Sequence, residues 1–61
     1  MITIEVENES EHVRCLCIMA DGVLLEVRRL SIRKPCRAPG LYLDEFERMV
    51  RGEIAAEITA G

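Results

Sequence analysis

Tryptophan is absent, and Tyr42 and Phe46 are the only aromatic side chains. Binding single-stranded nucleic acid by base stacking needs several aromatic faces, so that mode has little material here. His12 is the sole histidine, and the chain lacks a serine–histidine–acid set, a glycine-rich phosphate loop and an H-E-x-x-H pattern. His12 sits near a turn and reads as a solvated strand end rather than a general base. No enzyme is expected. No apolar run nears the ~20 residues of a membrane-spanning helix, and no charged-then-apolar leader opens the chain. A soluble, unprocessed protein with no membrane partner is the expectation.

The cysteine count is odd, which excludes a fully paired disulfide framework. Three residues, Cys15, Cys17 and Cys36, cannot all pair within one chain. The Cys15-x-Cys17 spacing suits neither a redox C-x-x-C nor a secreted disulfide framework, which points to the reducing cytoplasm. With His12 the three thiols make four possible zinc ligands. Strand alternation, however, sends His12 to the face opposite Cys15 and Cys17, and small buried hydrophobes are the plainer reading of those two. A zinc-stabilised module is thus a minor alternative; no metal site and no cofactor are expected. Cys36, beside Lys34 and Arg37, carries the one hint of a lowered thiol pKa, against the plainer reading of an ordinary loop thiol.

What is present is a small apolar domain. At 61 residues there is room for one domain, yet 49% of the chain is hydrophobic, too rich for a disordered tail. A chain this short buries only about 60% of its unfolded surface, so self-association is a natural source of missing stability. Ile2, Ile4 and Val6 alternate with Thr3, Glu5 and Glu7, the period of a strand with one buried face. After a polar turn, His12–Ala20 and Val23–Ile32 flank Asp21-Gly22, a dipeptide suited to the two positive-φ positions of a type I′ hairpin turn. Arg33 to Leu43 reads as a connection containing both prolines. A helix then follows from Asp44, with Glu47 completing a capping-box pattern and Phe46, Met49, Val50, Ile54 and Ile58 forming an apolar stripe.

The expected fold is therefore α+β: a three-stranded antiparallel meander (2–7, 12–20, 23–32), a loop 33–43 and a C-terminal amphipathic helix 44–58 on one sheet face. Gly52 leaves an alternative open, a helix ending at Arg51 followed by a strand over 53–58. Leu41-Tyr42-Leu43-Asp44-Glu45-Phe46 resembles the strand-to-helix transition of the small carbon-storage regulator proteins over about ten positions. Such a resemblance would imply RNA binding through a basic N-terminal strand, whereas this chain has an acidic one, and no membership is assigned.

Register carries the functional expectation. With Asp21 and Gly22 as loop residues, Ala20 faces Val23, Ile18 faces Leu25, Leu16 faces Val27, and Arg14 faces Arg29. Like charges directly opposite destabilise a ladder. A four-residue loop, Asn8 to Glu11, would bring Glu5 beside Arg14 to relieve that pair. It would also send Ile2, Ile4 and Val6 to the face of Cys15 and Cys17, where the helix should pack. A loop one residue shorter would swap the faces.

Leu16, Ile18, Val23, Leu25 and Val27 would then form an open apolar patch bordered by Arg14 and Arg29. A patch of that kind marks an interface. The leading expectation is a small non-catalytic protein-binding module, an adaptor, inhibitor or regulator, associating as a homodimer through this face. The alternative uses Arg28, Arg29, Arg33, Lys34 and Arg37, which crowd together although the whole chain carries net charge −3, to bind nucleic acid. Glu5, Glu7, Glu9 and Glu11 raise the further idea of an acidic surface that docks on a basic partner, against the simpler reading of a charge-protected edge strand.

Overall fold

A computed structural model of the protein describes residues 1–60. Strands β1 (Ile2–Asn8), β2 (Val13–Ala20) and β3 (Val23–Ser31) form one antiparallel sheet in the order β1-β2-β3, and helix α1 (Pro39–Ala60) follows. The meander plus helix is the fold expected from the sequence. Asp21 has φ 50° and Gly22 φ 83°, the positive pair that the type I′ reading requires.

The register differs from expectation in both hairpins. Between β2 and β3, Ala20 pairs with Val23 and Met19 with Leu24, but Ile18 pairs with Glu26, leaving Leu25 as the extra residue of a β-bulge. Every later pair shifts by one. Leu16 now faces Arg28, Cys15 faces Arg29 and Arg14 faces Leu30, so the supposed Arg14/Arg29 pair does not form. Between β1 and β2, Asn8 pairs with Arg14 and Glu5 with Cys17. Glu5 therefore does not relieve Arg14, and Ile2, Ile4 and Val6 share a face with Leu16 and Ile18 rather than with the cysteines.

Arg14 explains the outcome. Its Nε donates to Asn8 Oδ1 at 2.7 Å, and its Nη1 donates to Asp44 Oδ1 at 2.7 Å and Glu47 Oε1 at 3.0 Å. The acids that satisfy this guanidinium come from the helix, not from β1. They fix the helix over the Arg14, Leu16 and Ile18 face, the reverse of the expected packing. Leu16 (0% exposed) and Ile18 lie beneath α1 with Leu43 and Ile54. Neither belongs to an open patch.

The helix begins earlier than expected, with Pro39 at its first position, where a missing N–H costs nothing. Asp44 and Glu47 are therefore interior residues clamping Arg14 rather than a capping box, and Leu41 to Leu43 are helical rather than extended. The helix runs through Gly52, so residues 53–58 form no fourth strand. Leu43, Glu47, Val50 and Ile54, spaced i, i+4, i+7, i+11, make the sheet-facing side. Phe46, Met49 and Ile58, expected in the core, are exposed. The chain carries two overlapping apolar stripes on one helix, and the ion pairs select between them.

Candidate protein-interaction surface

An apolar band, interrupted by Glu26, Arg28 and Arg29, borders the outer edge of β3. Val23, Leu24, Leu25 (58% exposed) and Val27 (50%) are exposed along the strand. Alternation places Val27 on the open face, opposite Cys17. The bulge at Leu25 turns Leu24 and Leu25 to that same face, since two residues there stand against one on β2.

The helix supplies the other side of the band. Arg28 Nη1 lies 3.7 Å from Glu53 Oε2, which ties one flank of α1 to β3. Met49, Phe46 and Tyr42 precede Glu53 by one, two and three turns on that flank, and all three are exposed. Sequence reasoning placed Phe46 and Met49 in the core and did not consider Tyr42 for an interface. The available signal was the surplus itself, because a helix covering one sheet face needs only one apolar stripe.

Of the interface residues expected from the sequence, the structure brings Val23, Leu25 and Val27 to the surface and removes Leu16 and Ile18. Arg14 is the helix clamp, held charged by its hydrogen bond to Asp44 despite the opposing cost of burial, with a pKa raised above the ordinary arginine value. Arg29 lies on the open face, its Nε 3.3 Å from Glu9 Oε2. The same Glu9 carboxylate accepts from Cys15 Sγ at 3.4 Å. Burial, then this bond, pushes the Cys15 thiol up.

The basic segment is partly spent. Arg28 donates to Glu26, the main cause of its raised pKa, and also meets Glu53; Arg29 holds Glu9. Arg33, Lys34 and Arg37 form no ion pair among the described residues. Arg37 and Cys36 border an open cleft of about 490 Å³ with Ser10, Glu11, Arg14 and Leu43. Cys36 thus lies near the helix N-terminus, whereas Cys15 and Cys17 belong to the opposite face. Among the described residues no three His, Cys, Asp or Glu side chains cluster as metal ligands. Among the described residues no helix is long and apolar enough to cross a membrane. No protein-family model, curated protein or solved structure matches this chain.

Proposed function

We propose that the chain is a small non-catalytic protein-binding module, an adaptor, inhibitor or regulator, that acts through the band around β3. One observation carries this reading: exposed apolar side chains lie on both sides of an unpaired sheet edge, Leu24, Leu25 and Val27 along β3 and Phe46 and Met49 on the helix. Unpaired sheet edges promote pairing with another chain, and a large exposed apolar surface marks a contact site; this edge also carries Glu26, Arg28 and Arg29. Among the described residues the buried apolar core is limited to Cys15, Leu16, Ile18, Leu43 and Ile54, so covering the band would also add stability that the monomer lacks. The three free thiols fit a reducing, cytoplasmic setting.

Capture experiments with tagged wild type and a tagged Leu25→Lys variant test the reading. A protein partner, whether a second copy or another chain, should be held by the wild type, resist nuclease and be lost with the variant. Equal capture by both proteins would contradict it. A second reading has its own observation: Arg33, Lys34 and Arg37 form no ion pair among the described residues, and Arg37 borders the cleft. Nucleic-acid binding there would weaken steeply as salt rises, while an apolar contact would change little.

A further inference from the structure

We propose that the occupant of this band is a second copy of the chain, paired antiparallel along β3 with Val27 on the two-fold axis. This rests on the protein-binding reading and specifies its partner. A two-fold axis perpendicular to the sheet keeps each residue on its own face, so some residue of β3 must face itself across the edge. Centring on Glu26, Arg28 or Arg29 sets a like charge directly against its copy, which is destabilising. Centring on Leu30 runs the ladder off the strand, which ends at Ser31, and centring on Leu25 runs it into the bulge.

Val27 alone keeps like charges of the strand apart with the axis clear of the bulge, which the ladder reaches only at Leu25. Centred there, Val27 meets Val27 of the second copy, Glu26 meets Arg28 on one side of the axis, and Arg28 meets Glu26 on the other. Leu25 lies against the aliphatic stem of Arg29. The strand is charge-complementary to itself in this one register. Edge β1 offers less: Ile4 facing its own copy avoids direct like-charge pairs, but it gathers Glu5 and Glu7 of both chains at one seam, and the helix does not contact β1.

The helix position agrees. It contacts β2 and β3 and not β1, so it lies toward the β3 edge of the sheet. A two-fold axis perpendicular to the sheet would set the two helices on the same face, across the axis from one another. They run antiparallel, and the flank they present carries bulky Phe46 and Met49 before Glu53 and small Ala56 and Ala60 after it, so that Glu53, 3.7 Å from Arg28, comes near its own copy at the axis. Large residues thus oppose small ones. A standard interface covers about 800 Å² per partner, roughly a sixth of the 4635 Å² surface, which an edge plus a helix flank can supply.

The test uses Val27→Lys and Val27→Glu, examined by sedimentation equilibrium at micromolar concentration. Val27 is half exposed, so both variants should retain the wild-type circular dichroism spectrum. Wild type should sediment at twice the chain mass. Each variant alone should dimerise at least about tenfold more weakly, because like charges meet on the axis, and an equimolar mixture should recover the dimer. Recovery on mixing requires position 27 to face itself. Variants that dimerise as well as wild type would overturn the β3 pairing while leaving self-association standing. A monomeric wild type would overturn the second copy as partner, and the capture experiment would still decide whether the band binds another protein.

Discussion

Arg14 decides more of this structure than any other side chain. Its guanidinium gathers Asn8 from β1 and Asp44 and Glu47 from the helix, so three elements are fastened at one strand position. Replacing Arg14 with methionine keeps the stem but removes the charge-assisted bonds. A loss of about 1.5–3 kcal/mol is expected in urea unfolding, a large share of the total for so small a domain. Cys15 is the second informative residue. Burial favours its neutral thiol, so its folded pKa lies above the unfolded one. Its contribution to stability is complete below the ordinary thiol range and disappears as pH rises through the folded value. Iodoacetamide at neutral pH should label Cys36 faster than Cys15, and Cys15→Ala should flatten the alkaline decline in stability. Equal labelling rates would show that Cys15 is not shielded.

At the scale of elements, the meander and helix were legible because their signals are local. Alternation from Ile2 to Glu7 and the Asp21-Gly22 turn need no tertiary information. The bulge at Leu25 was not legible, since it follows from matching β3 to β2 and not from either strand alone. Its one-residue shift, together with the longer β1–β2 connection, reversed the faces and moved Leu16 and Ile18 from the expected interface into the core. The helix start was hidden for another reason: Pro39-Gly40 resembles loop chemistry, although proline is well suited to a first helical position. Gly52 signalled a stop that the helix ignores. A Cβ built there meets nothing within 4 Å and the backbone is not left-handed, so Gly52→Ala should stabilise the protein by about 0.5–1 kcal/mol. Thermal unfolding would rise by several degrees. A lower midpoint would mean that the helix is interrupted at Gly52 in solution.

For the whole molecule, a small core and a long apolar edge belong to one argument. Leu16 and Leu43 are fully enclosed, while Leu24, Leu25, Val27 and Met49 remain in solvent. Introducing lysine at Leu16 buries an unpaired charge and should unfold the domain. Lysine at Leu25 should leave the circular dichroism spectrum intact and remove association. The reverse pattern would mean that the helix covers the other face. Of the candidate interface, the sequence made Val23, Leu25 and Val27 legible because an apolar strand of this length cannot bury both faces beneath one helix. Tyr42 and Met49 were not legible, because their stripe and that of Leu43, Val50 and Ile54 have the same period.

The central claim is that this chain works by covering its β3 edge with protein. Sedimentation equilibrium of the wild type, over micromolar concentrations and from low to high salt, tests it most directly. The expected result is a species of twice the chain mass that persists as salt rises, because its contacts are mainly apolar. A monomer throughout that range, with Leu24, Leu25 and Val27 still in solvent, would contradict the self-associated form of the claim.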